Sequence, residues 1–87
     1  MKCSTEQIIG HLILKGFIPR DACLELIDFF HRDIDSYNPK YNWSIYLDTE
    51  TNKVQISDSL GWIPFDKVVT TQEDLNKAIE IYFAQIK

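Results

Sequence analysis

The spacing of apolar residues changes twice along this chain of 87 residues, and that double change constrains the fold more than any single motif. Leu75, Ala78, Ile79, Tyr82, Phe83 and Ile86 recur at i, i+3, i+4, i+7, i+8 and i+11, which is one face of a helix. Trp43, Ile45 and Leu47 instead alternate with Asn42, Ser44, Tyr46 and Asp48, as in a strand buried on one side and wet on the other. A chain holding both periods belongs to the α+β class.

The remaining elements follow from local signals. Ser4 and Gln7 stand at capping-box spacing before Ile8, Ile9, Leu12 and Ile13, and Lys15-Gly16 reads as a stop, so a helix is expected over 5–15. Cys23, Leu26, Ile27, Phe30 and Ile34 form a second helical stripe, widened by Leu24 and Phe29 and opposed by Asp21, Glu25, Asp28, Arg32 and Asp35. With Pro19 near its first turn and Asn38-Pro39 at its end, this stripe predicts a helix over 20–36, folded against the first as an antiparallel hairpin. Cys23 then belongs to the core.

After Asp48, a polar turn leads to a return strand over 53–57 with Val54 and Ile56 inward. Asp58-Ser59-Leu60-Gly61 is a second turn. Trp62–Phe65 is a third short strand or an extended segment, confined to an edge by Pro64. Thr70 or Thr71 caps the last helix, with Glu73 and Asp74 in its first turn. The expectation is one small α+β domain over 1–87, in the order α-α-β-β-(β)-α, with an antiparallel hairpin or three-stranded sheet packed on one face by helices.

Apolar residues make up 45% and charged residues 25%, enough for a folded core and against disorder. Nine cations against thirteen acids give a net charge of −4. Lys2, Lys15, Arg20, Arg32, Lys40, Lys53, Lys67, Lys77 and Lys87 are scattered, with no two adjacent. That lacks the basic footprint through which proteins meet phosphates, so direct nucleic-acid binding is not expected. No apolar run approaches the ~20 residues of a membrane span. The polar Ser-Thr-Glu-Gln stretch after Lys2 is not a signal peptide, so a cytoplasmic protein with reduced thiols is expected.

Reactive constellations are sparse. Cys3 and His11, and again Cys23 and His31, share a Cys-x7-His spacing, but eight residues along a helix rise about 12 Å, too far for one tetrahedral ion. No metal site and no cofactor are expected. His31 reads as a hydrogen-bonded structural histidine. Asp33 and Asp35 point to different sides of a helix. No phosphate loop, nucleophile elbow or zinc-protease motif occurs. Asp58-Ser59-Leu60 resembles the tripeptide at which acyl carrier proteins receive their phosphopantetheine arm, which would make Ser59 an attachment site. In that family the serine opens a long helix, whereas Gly61-Trp62-Ile63-Pro64 cannot start one.

The densest candidate for function is the aromatic stretch over 37–65. Tyr37, Tyr41, Tyr46, Trp62 and Phe65 are expected to form a binding patch, while Trp43 shares the inward phase of Ile45. Acids Asp48, Glu50 and Asp58 at the turns, with Asp35 and Asp66, would rim the patch. Such rings without a reactive cluster suit recognition. The expectation is a non-enzymatic, acidic protein-binding module of the neutralising kind, of the type of small immunity proteins and phage-borne inhibitors. Its partner would be basic, such as a nuclease or a nucleic-acid-binding protein, with no membrane involved. The alternative is an assembly subunit that forms a homo-oligomer through the same patch or a strand edge.

Overall fold

A computed structural model of the chain describes residues 2–23, 25–34, 38 and 41–86. Helix α1 (Thr5–Leu14) leads into five strands: β1 (Phe17–Ala22), β2 (Leu26–His31), β3 (Trp43–Asp48), β4 (Lys53–Asp58) and β5 (Phe65–Val68). Helix α2 (Gln72–Ile86) closes the chain. The strands form one antiparallel sheet in sequence order. Both helices lie on the same face, α1 against β1 and α2 across β3 and β4. The α+β class is therefore as the two periods imply, but the order is α-β-β-β-β-β-α.

The expected helix over 20–36 is instead the β1–β2 hairpin. Leu-Ile-Asp-Phe-Phe-His over 26–31 is so rich in apolar residues that it satisfies a period of two as well as one of 3.6. Pairing on both sides selects the shorter period: Phe29 stands opposite Pro19 and Ile45, and Ile27 opposite Leu47. Phe29 and His31 then turn inward and are buried, while Leu26 is exposed. Pro19 is tolerated because β1 is an edge strand, where one missing N–H breaks no ladder, and the register shifts just after it. The expected helical hairpin is thus absent, and the sheet has five strands rather than three. Cys23 is not in the core but exposed between β1 and β2. Leu24, Asp35, Tyr37, Pro39 and Lys40, each assigned a place from the sequence, fall outside the described residues.

Elsewhere the local signals are realised. The Ser4 hydroxyl accepts the Gln7 N–H at 3.2 Å, and the Gln7 side chain accepts the Ser4 N–H at 2.8 Å. α1 buries Ile8 and Leu12, but Ile13, placed on the same stripe by its spacing, is 52% exposed. Gly16 ends the helix at φ +97°, a conformation costly to any other residue. The β3–β4 hairpin is as expected, and Ile45, Leu47, Val54 and Ile56 are fully buried. Of the third short strand expected over 62–65 only Phe65 lies in a strand: β5 begins directly after Pro64, runs on to Val68 and forms the other edge.

Thr71 caps α2 through its hydroxyl, which accepts the Asp74 N–H at 3.2 Å. The Thr70 hydroxyl and N–H donate to the Asp74 carboxylate, and chiefly the hydroxyl holds its pKa below the usual value. Leu75, Ala78, Ile79 and Tyr82 meet the sheet in one buried cluster with Ile8, Leu12, Phe17 and Phe29. The Tyr82 hydroxyl donates to the Trp43 carbonyl at 3.0 Å and lies 3.4 Å from the His31 N–H it accepts, tying α2 to β2 and β3. Burial pushes the Tyr82 phenol up to about 12. The radius of gyration, 11.9 Å, matches the ~12 Å of a compact chain of this length. Among the described residues, no helix is long and apolar enough to cross a membrane.

Candidate functional site

Two helices cover one face of the sheet, and no helix or strand among the described residues lies over the other. Strand alternation assigns that second face: Ile18 and Phe30 pair on it, as do Leu26 and Asp48, Ser44 and Ser57, and Lys53 and Val68. One row runs right across it, Asp28–Tyr46–Gln55–Asp66. Ile18, Leu26 and Val68 are exposed there, and Phe30 and Tyr46 are half-buried.

The face has its own polar framework. The Arg20 guanidinium donates to Asp28 Oδ2 through Nε at 3.2 Å and through a terminal nitrogen at 2.9 Å. The same terminal nitrogen donates to the Ser44 hydroxyl at 2.6 Å, and Cζ lies 5.4 Å from the centre of the Phe30 ring. Stacking and two hydrogen bonds to one carboxylate oxygen together fix a side chain that would otherwise sample many rotamers. Asp28 is only 16% exposed, and its other oxygen, Oδ1, is buried with no donor among the described residues. Across the sheet, Lys53 pairs with Asp66 at 3.1 Å. Two shallow cavities flank Tyr46. One of about 270 Å³ is lined by Cys23, Leu26, Asp28 and Tyr46, and one of about 110 Å³ by Leu26, Tyr46, Asp48, Lys53 and Gln55.

Beyond the upper end of the sheet, where β4 turns towards β5, the chain presents an apolar tip. Leu60 is 91% exposed, Trp62 63% and Ile63 47%. The tip is held rather than loose: Asp58 Oδ1 accepts the N–H groups of both Leu60 and Trp62 at 2.9 Å, and the Trp62 carbonyl accepts the Asp58 N–H. Gly61, at φ +87°, supplies the turn.

The expected patch is divided by this architecture. Tyr46 stands on the open face. Trp62 and Asp58 lie at the upper end, Asp58 as the turn anchor. Tyr41 is at the same end, in the approach to β3, where it lines a cavity with Asp33, Ile34 and Ile86. Asp48 and Glu50 lie at the opposite end, about 17 Å away along β3, where Asp48 Oδ1 accepts the Glu50 N–H at 2.9 Å. Phe65 points to the helix side, opposite Ile56, and packs on the core. Tyr37 is outside the described residues. Ser59 lies in the turn after β4, not at a helix start.

Both histidines spend their ring nitrogens on structure. His11 accepts from the Gln72 amide at 3.0 Å and donates to Asn76 at 2.8 Å, bracing α1 on α2. His31 accepts the Asp33 N–H at 3.2 Å and donates to the Lys15 carbonyl at 3.0 Å, wedged between the edges of Phe17 and Phe83. It is buried and hydrogen-bonded, as its sequence context implies. No group of three His, Cys, Asp or Glu side chains among the described residues is placed to hold a metal.

Sequence reasoning missed Ile18, Arg20, Leu26, Asp28 and Phe30, because the helical reading put β1 and β2 elsewhere. The signal that finds them is the alternation Leu26, Asp28, Phe30 against Ile27, Phe29, His31, with Pro19 marking an edge. Comparison with protein-family models, with curated proteins and with solved structures gives no match to this chain.

Proposed function

We propose that the protein is a non-enzymatic binding module that covers a functional surface of a basic partner protein. The open sheet face and the Leu60–Ile63 tip would make the contact. The observation that carries this reading is the layer missing from the sheet: Ile18, Leu26, Phe30, Tyr46 and Val68 lie on a face that no described helix or strand covers, beside a braced tip bearing Trp62. Rigid aromatic anchors contribute affinity at small entropic cost. The net charge of −4 steers a basic partner. Both histidines are committed to structural hydrogen bonds, which favours recognition over chemistry.

The test compares capture by wild type, Tyr46→Ala and Trp62→Ala. The reading requires one stoichiometric partner of basic composition, bound at least tenfold more weakly by both variants, about 1.4 kcal/mol. A partner held equally by all three baits overturns it. A second reading, a homo-oligomer, draws on the edge at β5, where Val68 is 53% exposed and, unlike β1, no proline lies within the strand. Light scattering separates the two: a closed dimer that is lost on placing a proline at Val68, whose N–H faces away from β4, supports self-assembly, and a monomer excludes it.

A further inference from the structure

We infer that the cavity between Leu26 and Tyr46 is a receptor for one basic side chain, lysine or arginine, of the partner protein, with Asp28 as its counter-charge. This rests on the binding-module reading and gives it a specific anchor.

The first support is the valence left on Asp28. Arg20 takes Oδ2 alone, through two of its nitrogens, and Oδ1 is buried without a donor among the described residues. A buried carboxylate oxygen left unpaired is costly, and folded proteins rarely keep one without a use. The second is location. Asp28 lines the 270 Å³ cavity together with Leu26 and Tyr46, so an aliphatic stem can lie along the Leu26 and Tyr46 side chains while its cationic head meets the carboxylate. Oδ1 is covered in the free protein. Side-chain rotamer changes around the cavity, of the size common at interfaces, would be needed to expose it.

The third is charge. Among the described residues, both cations placed on this face are already matched, Arg20 by Asp28 and Lys53 by Asp66. Asp48, on the rim of the adjoining cavity, has no cationic partner among the described residues, and Glu25 is exposed beside Leu26. The face therefore carries surplus negative charge around an apolar slot. An anionic group is disfavoured there, and so is a purely apolar one, which would leave Oδ1 unpaired. Arg20 keeps the carboxylate aimed: pinned by Ser44 and Phe30, it cannot swing over to cover both oxygens.

The test uses N-acetylargininamide as the probe, followed by amide chemical shifts of the intact protein, with the uncharged isostere N-acetylcitrullinamide as control. The expected result is shifts centred on Leu26, Asp28, Tyr46 and Gln55, at least tenfold tighter for the cation. Asp28→Asn should weaken the cation tenfold or more while the sheet amide pattern persists. Tyr46→Ala, at an outward position, gives the same readout should Asp28→Asn disturb the fold. Equal binding of the two probes, or shifts confined to Asp48 and Glu50 and unchanged in both variants, overturns the assignment. Capture of the partner separates the two readings. A partner lost with Trp62→Ala but held by Asp28→Asn removes the receptor and leaves the module standing. Asp28-dependent probe binding with no protein partner removes the module and leaves a cation pocket.

Discussion

Single residues hold the joints of this fold, and the two glycines of the first helix and its exit show how differently one residue type can act. Gly16 has φ +97°, and a Cβ there would lie 2.7 Å from His31 Nε2, the atom that donates to the Lys15 carbonyl. Gly16→Ala therefore combines left-handed strain with a lost hydrogen bond and should cost about 2 kcal/mol. Gly10 sits inside α1 with nothing within 4 Å of its missing Cβ, so Gly10→Ala should stabilise by about 0.5–1 kcal/mol. Urea midpoints of the two variants should move in opposite directions. Tyr82 gives a pH signature. In the unfolded chain its phenol ionises near 10, but burial holds the proton in the folded state up to about 12. Between these values unfolding releases a proton, so the Tyr82 contribution is complete below pH 10 and is lost as pH rises towards 12. Tyr82→Phe should be less stable at neutral pH, because the bond to the Trp43 carbonyl is gone. The gap between the two should narrow over pH 10–12 in denaturant titrations, and a constant gap would contradict the burial of the phenol.

At the scale of elements, legibility depended on how uniquely a segment answers to one period. α1, the β3–β4 hairpin and α2 each carry an unambiguous pattern with its own cap or turn: Ser4 with Gln7, Asp48 through Asn52, and Thr71. Residues 17–31 carry a pattern that fits two periods, and only partners distant in sequence, such as Ile45 and Leu47, decide between them. No local signal contains that information. The two assignments differ at adjacent rings, which gives a direct test. A helix over 20–36 centres its stripe on Phe30, with Phe29 at the margin. The sheet buries Phe29 completely and turns Phe30 to the open face against Arg20. Phe29→Ala should therefore cost about 3–5 kcal/mol, whereas Phe30→Ala should cost about 1 kcal/mol, mostly lost stacking with Arg20. Equal losses in thermal or urea unfolding would be incompatible with the hairpin.

For the whole molecule, the decisive property is asymmetry. Two helices of 10 and 15 residues cover one face of a five-stranded sheet, and the described residues include no further element over the other. The site was legible in the sequence only where its residues sit in unambiguous elements. Tyr46 is outward because Ile45 and Leu47 are inward, and Trp62 is exposed because Asp58 and Gly61 build a turn beneath it. Phe65 belongs to the opposite side, since alternation through Ile56 turns it to the helices. The three rings should therefore separate by experiment. Phe65→Ala should lower stability by about 1–2 kcal/mol, as for a half-buried ring. Tyr46→Ala and Trp62→Ala should leave the unfolding midpoint nearly unchanged and act on partner binding alone. Because the net charge is −4 and the face's surplus charge is acidic, association with a basic partner should slow as salt rises from about 50 to 500 mM, while dissociation, set by the buried rings, should change little. Stopped-flow or surface-binding kinetics at several ionic strengths measures both arms. A salt-independent association rate would detach the acidic composition from recognition and leave the open face to bind by shape.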